Sequence, residues 1–355
     1  MTIDVHTIPP YQVIAESGAL SRAGQLIAEK LRPGAKVLIV SDSNVFPLYG
    51  KLLENSIKEA GLTPFRFVFD AGETSKTTAT VYKIYQKLAQ CSFTRTDAIV
   101  NLGGGVAGDM GGFAAATFLR GIPYFQAPTS LLAQVDAGIG GKTGVDLPFG
   151  KNLVGAFYQP TLVIADPDTL KTLPGKHMRD GMAEVIKYGC ICSESLFDKL
   201  KDGGEGSMPL DMTGIIADCI KYKVQLVEED TMDTGRRMIL NFGHSFGHAL
   251  EKLQNFSGLL HGEAVGIGMV IAAEIGESMD ISPIGTSAKI AEILRQYDLP
   301  AETEYTVSEM IAATALDKKS DGDMLNFILL PRLGDACIKK MSRHDLETIL
   351  RKTRG

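Results

Sequence analysis

Between residues 36 and 165 the chain alternates short apolar runs with longer helix-like stretches, and this alternation narrows its fold more than any other feature. The runs are Lys36–Val40, Phe65–Phe69, Asp97–Leu102, Pro123–Ala127 and Thr161–Ala165, with helical stretches such as Lys76–Ala89 and Gly111–Leu119 between several of them. Strands separated by helices predict a mostly parallel, Rossmann-like sheet covered by those helices. Polar residues follow three of the runs directly: Ser41-Asp42, Asp70 and Gly103. In such folds ligands bind at the carboxyl ends of the strands.

After "DPDTLKTLPG" (Asp166–Gly175) the texture changes. Helical patterns cover residues 177–200, 209–230, 240–255, 262–280, 286–297 and 343–353, and the one strand hint is Met324–Leu330. The expected organisation is an α/β domain over residues 1–170 and an all-helical domain over 171–355, with Asp202–Ser207 a surface loop. A length of 355 residues suits two ordinary domains.

Composition excludes several classes. Net charge is −6 and the pI is near 5.6, which argues against a general nucleic-acid surface. The longest apolar run, around Ala264–Ile275, falls short of a membrane span. The start, "MTIDVHTIPP", lacks the apolar core of a signal peptide. Five scattered cysteines (Cys91, Cys190, Cys192, Cys219, Cys337) read as free thiols of a reducing cytoplasm.

Three segments carry chemistry. In "NLGGGVAGDMGG", Gly103, Gly105 and Gly108 have G-x-G-x-x-G spacing between a strand and a helix, where backbone N–H groups can cradle a diphosphate. The loop follows the third strand and not the first, and no acid ends the next strand. Asp42, ending the first strand, is instead placed to hold an adenosine ribose. A second segment, Pro128–Pro160, gathers glycine with Lys142, Lys151 and Asn152, giving close backbone approach and charge for anions.

The third segment is "NFGHSFGHALEKLQNFSGLLHGE", which holds three of the six histidines: His244, His248 and His261. His244 and His248 are four residues apart and share one helical face. A helix hairpin can return His261 to them. A single histidine is most often a hydrogen-bonded core residue, but three within one hairpin favour a metal site. Upstream, "GMAEVIKYG" puts Glu184 and Lys187 on one face of an apolar helix. A carboxylate there is costly to bury unless paired or bound to metal. Lys223, Arg236 and Arg237 add cations nearby in sequence. The residues alone point to an NAD- and metal-using enzyme acting on a phosphorylated or carboxylated polyol.

"NLGGGVAGDMGGFAAATFLRG", "PTSLLAQVDAGIGGKTGVDLPFGKNLVGAFYQP", "GMAEVIKYG" and "LNFGHSFGHALE…LHGEAV" together resemble the 3-dehydroquinate synthases, from about residue 36 to 330 and in the same order. That family belongs to the sugar phosphate cyclases, whose fold is shared with iron-dependent polyol dehydrogenases. The resemblance implies conversion of 3-deoxy-D-arabino-heptulosonate 7-phosphate to 3-dehydroquinate and phosphate. The implied course is transient oxidation by NAD⁺, phosphate elimination, reduction, ring opening and intramolecular aldol closure. The departing phosphate can itself take the ring proton.

Carried over residue by residue, the resemblance makes Glu184, His244 and His261 the ligands of one divalent metal, zinc or cobalt, in place of the i, i+4 histidine pair. His248 becomes a substrate-facing residue. Asp42, Asn44, Glu73, Lys76, Gly104, Gly105, Val106, Asp109, Thr129, Ser130, Lys142, Lys151 and Thr172 match NAD-contacting positions. Lys142, Lys187, Arg237, Asn241 and His248 match catalytic positions. Arg120, Asp136, Asn152 and Lys223, with one of Lys318 and Lys319, match further substrate positions. The first domain is then the NAD-binding one and the second holds metal and substrate. The family's habit implies a homodimer in the cytoplasm.

Some positions depart from the commoner pattern. "AGETSK" has Ala71 where Asp is frequent, "DAGIGGK" has Ala137-Gly138 in place of two serines, and "VDLPFGKN" lacks a histidine before the proline. Three rivals remain at this level: a sister cyclase whose substrate has no carboxylate, an NAD- and metal-dependent polyol dehydrogenase that releases NADH, and a non-enzymatic metal- and nucleotide-binding regulator.

Overall fold

The computed structural model describes residues 1–203, 211–254, 258–314 and 324–354. Contacts divide the chain into two units, Met1–Pro174 with Ile216–Met232, and Gly175–Ile215 with Asp233–Gly355.

The first unit runs β1 (Thr2–Val5), β2 (Tyr11–Ala15), α1 (Ala23–Ala28), β3 (Lys36–Asp42), α2 (Lys51–Glu59), β4 (Thr63–Phe69), α3 (Thr78–Gln90), β5 (Ala98–Gly103), α4 (Gly105–Thr117), β6 (Tyr124–Pro128), β7 (Lys142–Leu147), β8 (Gly150–Phe157) and β9 (Leu162–Ala165). Seven strands form one sheet in the order β1-β2-β9-β6-β5-β3-β4. Only β1 pairs antiparallel to its neighbour. Alternate residues serve opposite faces. Val37 and Ile39 of β3 face a core with Leu53 and Ile57 of α2, while Leu38 and Val40 face Ile84 and Leu88 of α3 and Met110 of α4. All of these side chains are fully buried, and each stabilises the fold by roughly 1.5–3 kcal/mol relative to exposure.

The strand order sets the site. The chain moves outward from β3 to β4 on one side and from β5 to β6 on the other. The order therefore reverses between β3 and β5, which is where open α/β sheets leave a crevice. The glycine loop follows β5, and its place on the third of the sequence-predicted strands is explained by this reversal.

The helix after that loop begins at Gly105, six residues before the stretch legible in sequence. Its glycines hide it from propensity but let it sit close to the sheet. A Cβ on Gly111 would lie inside the Asn101 side-chain amide. The lysine-rich segment that follows contains the β7–β8 antiparallel hairpin, with Lys142 opposite Phe157 and Gly144 opposite Gly155.

The second unit contains α5 (Gly175–Cys192) and α6 (Glu194–Lys201), separated by Ser193, whose Oγ accepts from the Leu196 N–H at 3.2 Å and caps the second helix. α7 (Met212–Glu229) starts in this unit and ends in the first. Then come α8 (His244–Leu253), α9 (His261–Ser278), α10 (Thr286–Gln296), α11 (Val307–Thr314), β10 (Met324–Arg332), β11 (Asp335–Ser342) and α12 (Arg343–Arg354).

Two expectations need correction. A single cut near residue 170 does not describe the contacts, because residues 216–232 return to the first unit. Their charged side chains are paired there: Lys223 Nζ lies 2.5 Å from Asp136 Oδ1, and Glu228 Oε1 accepts from the His6 backbone N–H at 2.6 Å. The second unit is also not all-helical. The strand hint at Met324–Leu330 acquires an antiparallel partner in β11, since a lone strand would leave its backbone groups unpaired.

Candidate active site

In the first unit the candidate residues gather at the carboxyl end of the sheet. Asp42 ends β3, and its Oδ1 accepts from the backbone N–H groups of Asn44 at 2.8 Å and Val45 at 2.9 Å. This turn fixes the carboxylate and leaves Oδ2 facing Gly103, 3.4 Å from where a Cβ would stand. Gly104 precedes the first turn of α4, so Gly105 and Val106 present early-helix N–H groups beside that carboxylate. Thr129 N donates to Gly103 O at 2.9 Å, and Ser130 Oγ lies 3.4 Å from the position of a Gly104 Cβ.

A charged cluster stands beside the loop. Lys76 Nζ lies 2.6 Å from Asp109 Oδ2, 2.7 Å from Asn152 Oδ1 and 3.8 Å from Glu73 Oε1. The hairpin is docked to it through backbone, as Asp146 N donates to Lys76 O at 2.9 Å. Asp146 Oδ1 also accepts from Asn152 N at 2.7 Å and holds Asn152 at φ 53°. Burial of the Lys76 ammonium favours its neutral form, but the Asp109 and Glu73 carboxylates outweigh this and raise its pKa. Burial raises the pKa of Asp109 and Glu73, opposed chiefly by Lys76. The ammonium is thus held charged among acceptors.

One predicted residue stands apart. Arg120 is exposed in the turn beyond α4, at the opposite end of that helix from Gly105. Thr172 shares a 2.5 Å hydrogen bond with the Tyr49 hydroxyl. Lys142 and Lys151 lie on the two strands of the hairpin, and Asp136 is paired with Lys223.

In the second unit three helices converge through glycine. Gly243, at φ +79°, turns the chain from the short helical turn Arg236–Asn241 into α8, so His244 is that helix's first residue. His261 is likewise the first residue of α9. The next residue, Gly262, touches α5: a Cβ there would lie 2.9 Å from the Ala183 Cβ, one residue before Glu184. Asp180 Oδ1 accepts from Gly262 N at 2.5 Å and fixes the approach.

The result is a donor set. Glu184 Oε1 lies 3.8 Å from His244 Nε2 and 3.7 Å from His261 Nε2. One ligand atom from each of the three residues falls within 4.8 Å of the others. His244 Nδ1 is 3.1 Å from Phe242 O, so its N–H is directed there and Nε2 is left toward Glu184. Burial, then the charge of Lys187, pushes the His244 pKa well below the imidazole range, which keeps it a neutral ligand. For His261 the Glu251 and Glu184 carboxylates outweigh burial and raise the pKa, and a metal binding there would release that proton. Glu184 is 1% exposed and is paired with the equally buried Lys187. The buried carboxylate and half-buried imidazole donors suit zinc or cobalt, so the donor chemistry fits the metal expected from sequence.

Asn241 ends the turn that precedes α8, and His248 is exposed with its ring 5.4 Å from that of His244. Arg237 is wholly buried, which excludes its being a solvated helix-end residue. Lys318 and Lys319 lie outside the described residues. Sequence reasoning assigned no role to Glu251, whose buried carboxylate lies 3.6 Å from His261 Nδ1.

The fold has counterparts among solved proteins. A 2-deoxy-scyllo-inosose synthase complexed with carbaglucose-6-phosphate, NAD⁺ and Co²⁺ superposes with a TM-score of 0.86 at 25% identity, covering 99% of this chain and 100% of that one. A 2-epi-5-epi-valiolone synthase from Streptomyces hygroscopicus with NAD⁺ and Zn²⁺ bound gives 0.86 at 28% identity, over 97% of this chain and 96% of that one. A glycerol dehydrogenase from Schizosaccharomyces pombe gives 0.62 at 15% identity, over 96% and 88%, and shares the fold alone. The architecture is thus the one common to these synthases and dehydrogenases.

Sequence narrows it further. Residues 66–180 match the 3-dehydroquinate synthase N-terminal family model and residues 181–320 the C-terminal one. The 3-dehydroquinate synthase of Clostridium acetobutylicum is 46% identical over 96% of both chains, and that of Streptococcus mutans 42% over 97% of both. The chain belongs to the 3-dehydroquinate synthase family.

Proposed function

We propose that the chain converts 3-deoxy-D-arabino-heptulosonate 7-phosphate to 3-dehydroquinate and phosphate, as a phosphate-eliminating lyase that regenerates its NAD⁺ in each turnover. The observation that carries this reading is the 46% identity to a curated 3-dehydroquinate synthase across 96% of the chain. The solved synthases of other products share the fold but are only 25–28% identical, which favours the dehydroquinate reaction over a sister one.

NAD⁺ supplies a hydride acceptor, and a zinc or cobalt ion supplies Lewis acidity at a substrate hydroxyl. The N–H groups of Gly105 and Val106 at the start of α4 suit a diphosphate, and Asp42 suits a ribose hydroxyl. Asn44, Glu73, Lys76, Gly104, Asp109, Thr129, Ser130, Lys151 and Thr172 complete the proposed nucleotide site. Glu184, His244 and His261 would hold the metal.

The chain's cations take the substrate's anions. Lys142, Lys187, Lys223 and Arg237 neutralise a carboxylate and a phosphate, and Arg237 offers the planar fork that either group can accept bidentately. Asp136, Asn152, Asn241 and His248 position hydroxyls and phosphate, while Arg120, at the far end of α4 from Gly105, is not placed with them. The departing phosphate can accept the ring proton, so no side-chain base is required there. A homodimer in the cytoplasm belongs to the same proposal. All five cysteines are free, which suits a reducing compartment.

Turnover with trace NAD⁺ tests the reading. Phosphate release should far exceed the NAD⁺ supplied, with no net rise in NADH absorbance. Stoichiometric accumulation of NADH would identify a dehydrogenase instead.

A further inference from the structure

We propose that Glu251 is a positioning residue for the metal centre: its carboxylate holds His261 by Nδ1, so that Nε2 is presented to the metal. The inference rests on the metal reading of Glu184, His244 and His261.

The geometry gives His261 two faces with different partners. Nε2 lies 3.7 Å from Glu184 Oε1, and Nδ1 lies 3.6 Å from Glu251 Oε2. An imidazole that ligates through one nitrogen needs its other N–H directed to an acceptor, which fixes both tautomer and ring plane. His244 has such an acceptor in the Phe242 carbonyl. His261 starts a helix, and the carboxylate facing its Nδ1 is that of Glu251.

Glu251 is built for a fixed role. It lies on α8, which also carries His244, so one helix supplies a ligand and the orienter of another ligand. It is 4% exposed, and a carboxylate so buried is costly unless it is matched by a donor or a charge. Charge matters as well as direction, since an anionic acceptor makes the imidazole a stronger donor to metal than a carbonyl does. A carboxylate oxygen of Glu251 also falls within 4.8 Å of nitrogens of His248 and His261, which makes direct ligation of a second ion the rival role.

Cobalt uptake separates these roles. Wild type, Glu251→Gln, Glu251→Ala and His261→Ala are stripped, titrated with Co²⁺ against a chelator, and followed by cobalt visible absorption, with the thermal midpoint of each metal-free protein as a fold control. Expected is one equivalent in wild type and in both Glu251 variants, with affinity weakened about 10- to 100-fold, less in Gln than in Ala. Band positions should shift while intensity, which follows coordination number, is kept. Near-wild-type affinity in Glu251→Ala would overturn the proposal. So would a wild type binding two equivalents that falls to one, because Glu251 would then itself be a ligand. Absence of any cobalt uptake by wild type would instead remove the metal reading on which the inference stands.

Discussion

The carboxyl edge of the sheet and the cluster where α5, α8 and α9 meet are built from opposite materials. The first is mostly backbone: glycine N–H groups at a helix start, two turns, and a hairpin docked to Lys76 through an amide. Its specificity lies in how closely a ligand can approach. The second is mostly side chain: one carboxylate and two imidazoles, each with its second atom engaged elsewhere. Its specificity lies in residue identity. Substitutions at the first should therefore change cofactor binding by degrees, while substitutions at the second should act as all or none.

The largest effect is expected from His261→Ala. Bound metal should fall from about one equivalent to near none, and kcat/KM should drop by roughly three decades, since a Lewis acid contributes several kcal/mol to such a step. Undiminished metal would take His261 out of the site and erase the contrast.

Arg237 comes next. Because it is wholly buried, its removal strands its partners, and loss of one member of such a charged contact costs about 2–5 kcal/mol. Arg237→Ala should lower kcat/KM at least about tenfold. Arg237→Lys should restore only part, because the fork is lost. Full rescue by lysine would reduce its role to a point charge.

The smallest effect on catalysis is expected at the opposite edge of the sheet. Asp97, just before β5, is fully buried and accepts from Lys36 N at 2.9 Å and from Thr94 N at 2.7 Å. Burial pushes its pKa up, but these hydrogen bonds, the Thr94 hydroxyl and Arg32 outweigh it and leave the pKa lowered. A lowered folded pKa stabilises the protein above the ordinary carboxylate value of about 3.9, and this is lost as pH falls through the folded value. Asp97→Asn sets an amide donor against an N–H donor. It should cost about 1–3 kcal/mol at neutral pH, flatten the acid limb of the stability curve and leave kcat/KM unchanged. A large loss of activity would mean that the two edges of the sheet are not separate in function.

The two regions also differed in how far sequence revealed them. The five apolar runs coincide with β3, β4, β5, β6 and β9; β3, β5, β6 and β9 are buried along most of their length and must be apolar, while β4, at the edge of the sheet, is only partly covered. The short β1 and β2 were not foreseen, nor was the β7–β8 hairpin, where glycine and lysine mask strand propensity. The crevice between β3 and β5 depends on strand order, which no local pattern carries. The metal triad was easier, because histidine is scarce and crowded. The residues alone suggested a metal among His244, His248 and His261 and marked Glu184 as a carboxylate to be paired or metal-bound, and the family pattern set His248 aside. The role of Glu251 was illegible, because a glutamate on a helix reads as solvent-facing until its burial is known.

The central claim, that the chain belongs with the enzymes whose substrate bears a carboxylate as well as a phosphate, is tested most directly by phosphate release from two heptulose substrates. The wild type, with metal and trace NAD⁺, is offered 3-deoxy-D-arabino-heptulosonate 7-phosphate and, separately, sedoheptulose 7-phosphate, which lacks the carboxylate. Removing one charged contact of this kind costs about 2–5 kcal/mol, so the first substrate should be favoured by at least about tenfold in kcat/KM. Equal turnover of the two, or preference for sedoheptulose 7-phosphate, would contradict the account and assign the chain to a sister reaction.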